Sequence, residues 1–279
     1  MREGCVVRAH IYCSTVMLFM RTMLCLLALV TAALPPHQAA AAPVGVRFVE
    51  GSLHGFVVLR TLNNAVIASG DLIQMHRGGA IESRMVFHFK DGSVSDETAV
   101  FTQDRIFTLQ SYRLLQRGPA FTEDTEISLE RASGKYRVKT KAHKDGKEEV
   151  LEGKLDLPPD VYNGMVLTAA KNLVKGAGET VHFVAFTPAP RIIQLELTPA
   201  GDQKVVVGEI AKSATHYVFK PILGVWLKFF ATLFGRTPPD NHAWIVTEGG
   251  VPAFVRFEGP LSPTGPVWRI EQTTPRWPD

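Results

Sequence analysis

Cysteine is scarce in this chain of 279 residues: there are three, Cys5, Cys13 and Cys25, and none follows position 25. The rest of the chain can therefore form no disulfide, no thiolate metal site and no thiol nucleophile. An excess of one charge is also missing. Of 30 Lys and Arg against 27 Asp and Glu, the first 42 residues hold Arg2, Arg8, Arg21 and Glu3, leaving 27 bases facing 26 acids. That balance gives no electrostatic footprint for nucleic acid, which needs a basic stripe. The histidines at 54, 76, 88, 143, 182, 216 and 242 show no H-E-x-x-H or similar ligand spacing. GAG at 176–178 lacks the rest of a dinucleotide fingerprint, no G-x-S-x-G turn offers a serine nucleophile, and no period of 20–50 residues repeats. No cofactor and no metal site is expected.

What is present begins with a targeting pattern. Arg21, the apolar run MLCLLALVTAAL at 23–34 and the small residues at 39–42 read as the three parts of a signal peptide. Residues 1–42 are assigned to it, with Met17, Met20 and Met23 as alternative starts, and the product is expected to be periplasmic or secreted. The apolar run is too short to cross a bilayer core of about 30 Å, so no transmembrane span is expected in the mature chain. Cys25 follows Leu24 inside that run, where a lipoprotein signal would need a small residue.

Residues 43–279 read as a single antiparallel β domain. MVFHFK at 85–90 alternates, with Met85, Phe87 and Phe89 on one face, and Asp91-Gly92 then turns the chain into SVSDETAVF. Ser133-Gly134 and Asp145-Gly146 repeat the device between EISLE, KYRVKTKA and EEVLEGKL. Lys135, Arg137, Lys139 and Lys141 share one strand face, read as solvated and paired with Glu126, Glu130 and Glu152. Ile127, Leu129, Tyr136 and Val138 are placed on the core side. Pro158-Pro159-Asp160 is read as capping a helix over 161–176 that plugs or covers the sheet. Residues 199–202, Pro-Ala-Gly-Asp, are read as a hairpin turn. Gln116-Arg117-Gly118-Pro119 is read as a strand end and turn. The fold class expected is all-β, mainly antiparallel: an open or partly closed barrel or curved meander sheet with one or two covering helices.

The unusual segment is PILGVWLKFFATLFGRTPPDNHAW at 221–244. As a helix, 221–235 would span about 22 Å at ~1.5 Å per residue, short of a membrane core. Lys220, Gly224, Lys228, Thr232 and Arg236 recur every fourth residue as a narrow polar stripe, with apolar side chains beside it. Packing on the protein's own sheet, lining an apolar ligand and lying on a lipid surface all fit that pattern. Trp226, Phe229, Phe230, Leu233, Phe234 and Trp244 are the ligand-binding candidates. Asp240 and His242 stand two apart and would share a strand face, as an orienting carboxylate and an imidazole do, and are the only catalytic candidates.

EGSLHGFVVLR with IASGD, then FHFKDGSVSDE, QRGPAF, GRTPPDNHAW, VPAFVRFEGP and GPVWRIE resemble a group of uncharacterised secreted bacterial proteins of unknown function. The likeness runs from Val46 to about Gln272 and implies no activity. The stretch before Pro-Pro-Asp is smaller and richer in glycine in that group than VWLKFFATLF here. In architecture the expected fold is distantly similar to the half-barrels of periplasmic lipoprotein carriers and localisation factors, which by itself carries no function. The functional expectation is a non-catalytic protein of the envelope that binds an apolar or lipid-like molecule. A protein-interaction or scaffold module docking another envelope protein is the alternative, and an enzyme of unknown reaction the third.

Overall fold

The structure, a computed structural model, describes residues 41–186, 189–207, 210–222, 239–248, 250–263 and 265–273. The three Asx and Ser turns expected from sequence form as local hydrogen bonds dictate. Asp91 Oδ1 accepts from Ser93 N at 2.9 Å, Asp145 Oδ1 from Lys147 N at 3.0 Å, and Ser133 Oγ from Lys135 N at 3.2 Å. Each is followed or accompanied by a glycine with positive φ, Gly92, Gly146 and Gly134, where a side chain would be strained.

These turns and others like them join β1 (Leu53–Thr61), β2 (Val66–Arg77), β3 (Ala80–Phe89) and β4 (Val94–Gln103) to β5 (Phe107–Arg117), β6 (Glu123–Glu130), β7 (Lys135–Ala142) and β8 (Glu148–Lys154). The chain then forms helix α1 (Val166–Asn172), the one α-helix among the described residues. It resumes with β9 (Glu179–Ala185), β10 (Arg191–Val207), β11 (Ile210–Ile222), β12 (Asn241–Val246), β13 (Ala253–Pro260) and β14 (Val267–Gln272).

Every strand pair is antiparallel, and the order is β8-β7-β6-β5-β4-β3-β2-β1-β14-β13-β12-β11-β10-β9. Two meanders are thus fused where the first strand pairs with the last, Leu59 opposite Ile270. The result is a curved sheet that does not close, with β8 and β9 as its edges. A flat sheet of this width would be unusual, since twisted sheets beyond about ten strands curl. Gly70 helps the strands approach: a side-chain carbon there would fall 1.9 Å from the Val86 carbonyl oxygen.

One face of the sheet holds the main core, including Leu59, Phe87, Phe101, Phe107, Leu129, Leu197, Phe219 and Ile245. The segment leaving β8 lies on that concave face. Arg131 anchors it by donating to the carbonyls of Leu157 at 3.2 Å and Pro158 at 3.0 Å. Tyr162, Met165, Ala169 and Leu173 then plug the core. The plug corrects one expectation. Asp160 caps no helix; residues 160–162 instead run parallel to β9, with His182 N donating to Asp160 O and Tyr162 N to His182 O. The helix starts only after Gly164, whose φ of 69° ends that extended run.

An amino-terminal strap completes the plug. Val44 O accepts from Phe107 N, while Val44 N donates to the Tyr162 hydroxyl at 2.8 Å. Asn172 Oδ1 accepts from Arg47 N and Phe48 N, and Lys171 pairs with Glu50 at 2.6 Å with both side chains largely shielded.

A second correction concerns residues 199–202, which form no hairpin turn. β10 runs through them as one strand, and its register against β11 shifts between Pro199 and Asp202, opposite Tyr217 and Thr215. Three steps on β10 match two on β11, so a bulge reverses which residues face which side. Leu195 and Leu197 face the main core before it; Val205 and Val207 after it join a separate cluster with Ala214, Trp244, Val246 and Val255. The proline that suggested a turn marks that bulge.

The charged stripe of β7 is solvated as expected, but of the expected partners only Glu152 pairs with it, and Glu148 on the adjacent β8 takes the place of Glu126 and Glu130. Arg137 meets Glu152 at 3.0 Å and Lys139 meets Glu148 at 3.0 Å, while Ile127, Leu129 and Val138 are buried behind them. Arg117 ends β5 next to the Gly118 turn and lies 4.0 Å from Glu126.

Candidate functional site

The concave face has one row that the plug does not seal. Across β2 to β5, Leu72, Met85, Glu97 and Leu114 stand opposite one another in register, and all four are half-buried. The row on one side, Gly70, Phe87, Ser95 and Gln116, is buried. So is the row on the other side, Gln74, Ser83, Ala99 and Tyr112. An accessible apolar strip with a carboxylate in it therefore lies between two sealed rows.

Local pairing explains how Glu97 comes to be there. The Asp91-Gly92 turn sets Phe87 opposite Ser95 and Met85 opposite Glu97, which puts the glutamate on the core face of β4 with Ala99 and Phe101. The Tyr112 hydroxyl donates to Glu97 Oε1 at 2.9 Å. No cation pairs with Glu97 among the described residues, and its Oε2 has no hydrogen-bond partner there, yet that oxygen is not sealed from solvent. Burial pushes the carboxyl above the usual carboxylate range, and the Tyr112 hydrogen bond offsets part of that rise. Tyr112 in turn is pushed well above the usual phenol range by burial and by the neighbouring carboxylate. Its ring lies stacked with Phe186, centroids 5.9 Å apart and planes 8° apart.

The opposite, convex face carries the residues that the sequence singled out near position 242. His242 and Trp244 share that face of β12, whereas Ala243 and Ile245 face the main core. Trp244 is buried in the convex cluster behind the bulged hairpin. Its indole can only donate, and does so to Gln203 Oε1 at 2.8 Å. The Gln203 amide nitrogen then faces His216 Nδ1 at 3.3 Å, so Nδ1 accepts and the His216 proton sits on Nε2. That proton is donated to His242 Nδ1 at 3.0 Å. The His216 ring stacks on Trp244 at 4.6 Å, and the Arg256 guanidinium lies 5.4 Å from the Trp244 ring.

His242 is thus held by His216 rather than by Asp240, which is exposed just ahead of β12 and has no hydrogen bond or ion pair among the described residues. No group of three or more His, Cys, Asp or Glu able to hold a metal occurs among the described residues. Of the segment at 221–235, Pro221 and Ile222 close β11 as strand, opposite Leu195 and Gln194. Trp226, Phe229, Phe230, Leu233 and Phe234 lie outside the described residues. The structure does not bring Trp244 to the concave strip.

Sequence reasoning passed over Glu97. Its signal was a glutamate placed by a two-residue turn on the same face as Met85, Phe87 and Phe89. Comparison of the chain with protein families, curated proteins and solved structures finds no match.

Proposed function

We propose that the protein binds an apolar or lipid-like molecule without chemical conversion, on the concave face of its sheet, in the periplasm or after secretion. The observation that carries this reading is the half-buried strip of Leu72, Met85 and Leu114 around Glu97. A core that existed only for stability would close such a row with packed aliphatic side chains. An apolar recess with one or two convergent polar groups is the usual form of a small-molecule site. The signal-like pattern at 23–34 supports export, and the curved sheet with an interior helix is an architecture compatible with carriage.

Docking of another envelope protein is the second reading, and edge strand β8 is its best surface. Val150 and Leu151 are exposed there. They stand among Glu148, Glu149, Glu152 and Lys154, and charges on an edge strand protect it against pairing with another chain. The ligand reading is therefore preferred.

The test is extraction of the purified protein with organic solvent and mass spectrometry of the extract, followed by titration of the stripped protein with a fluorescent acyl-chain probe. A bound apolar species, or saturable probe uptake weakened in Leu114→Asp, supports the proposal. An empty extract together with no uptake overturns it.

A further inference from the structure

We infer that Glu97 is the recognition group of the concave strip and that it selects an amphiphile whose polar end is a protonated amine. The inference rests on the concave face taking an apolar ligand. Its ground is the pairing state of the carboxylate. Within the register row from Gly55 through Leu72, Met85, Glu97, Leu114, Ile127 and Val138 to Leu151, Glu97 is the one charged residue. Tyr112 satisfies Oε1, while Oε2 has no hydrogen-bond partner among the described residues.

Three shielded carboxylates of this protein meet a cation or an imidazole. Glu50 has Lys171 at 2.6 Å, Asp160 has His182 at 2.7 Å, and Glu258 has Arg269 at 2.7 Å. Glu97, by contrast, has only the Tyr112 hydroxyl among the described residues. A carboxylate drawn out of water without a counter-charge is strongly unfavourable, and an alanine or leucine would pack at this position at no such cost. A cationic ligand head supplies the missing partner.

Ligand chemistry follows from the same geometry. A fatty-acid carboxylate or a phosphate would bring a second negative charge to a strip that offers it no cation among the described residues. An alcohol would give Oε2 a hydrogen bond but no counter-charge. A primary ammonium donates a hydrogen bond and also supplies the opposite charge, and its alkyl chain covers Leu72, Met85 and Leu114. The raised protonation range of Glu97 fits this picture, because binding of an ammonium would favour the ionised carboxylate and return it toward its ordinary value.

The experiment is calorimetric titration of the stripped protein with dodecylamine, dodecanol and dodecanoate at pH 8, each below its micelle concentration, repeated with Glu97→Gln. The amide that Glu97→Gln introduces keeps an oxygen for the Tyr112 hydroxyl, so the fold is retained, and near-ultraviolet circular dichroism checks it. The expected result is amine binding roughly tenfold tighter than alcohol, from the added attraction of opposite charges, with dodecanoate weakest. Glu97→Gln is expected to bring the amine to the level of the alcohol. Equal affinity for amine and alcohol, or an amine preference that survives Glu97→Gln, overturns the inference while leaving apolar binding standing. Failure of all three probes to bind the unsubstituted protein overturns both.

Discussion

Trp244 and Gln203 are joined by a 2.8 Å hydrogen bond although β11 lies between their strands. The bulge at 199–202 makes this contact: it turns Gln203, with Val205 and Val207, onto the face that carries Trp244. Gln203→Leu leaves a buried indole N–H without an acceptor and removes the donor to His216 Nδ1. An unsatisfied buried donor costs about 1–3 kcal/mol. The expected outcome is an unfolding free energy in urea lowered by that amount, with the denaturant slope unchanged.

The same chain of hydrogen bonds makes stability pH-dependent. Burial holds the His216 imidazole below its ordinary range, the neighbouring His242 adds to this, and Glu258 opposes it. The unfolded imidazole takes up a proton near pH ~6.5, and the folded one only at lower pH. In that interval the unfolded chain binds more protons, so stability falls as pH drops below about 6.5 and is unaffected by this group above it. Urea midpoints measured from pH 8 to pH 5 for the parent and for His216→Phe check this; the slope over pH 6.5 to 5 should be shallower in the variant.

Glu97 has the opposite sign. Its folded carboxyl keeps a proton to higher pH than the unfolded one, so its contribution is fully present below the unfolded range and is lost as pH rises through the folded one. Glu97→Gln removes that loss. Thermal midpoints should therefore rise at pH 8 and change much less at pH 4. A gain equal at both values would show that ionisation is not its cause.

Lys171 ties helix α1 to the amino-terminal strap through Glu50, and both side chains are shielded. Lys171→Met leaves the Glu50 charge buried without its partner and should destabilise by about 3–5 kcal/mol. Adding Glu50→Gln to it should recover a large part of the loss. Denaturation of the two variants beside the parent measures both effects.

The legible parts of this fold were those whose cause is local. Asp91-Gly92, Ser133-Gly134 and Asp145-Gly146 state their turns in two residues, because a short side chain bonds the backbone two positions on and a glycine accepts positive φ. Alternation then assigns Ile127, Leu129 and Val138 to the core and the β7 cations to solvent, as observed. Pro-Ala-Gly-Asp at 199–202 misled for the complementary reason. The same residue types serve a turn or a bulge, and pairing with Tyr217 and Thr215, which are distant in sequence, selects the bulge. Asp160 likewise carries the composition of a helix cap, but the free edge of β9 offers its backbone a partner first.

By itself, then, the sequence determined an antiparallel β protein without cysteine chemistry beyond position 25, because turn residues and a two-residue alternation act within a few positions of each other. Only the tertiary structure decided that β1 closes on β14, that a short helix and a strap fill the concave face, and that Glu97 stands among Leu72, Met85 and Leu114 without a counter-charge among the described residues. A carboxylate's partners and its exposure to water are properties of neighbours brought together by strand order, and strand order is set by long-range pairing that no local pattern encodes.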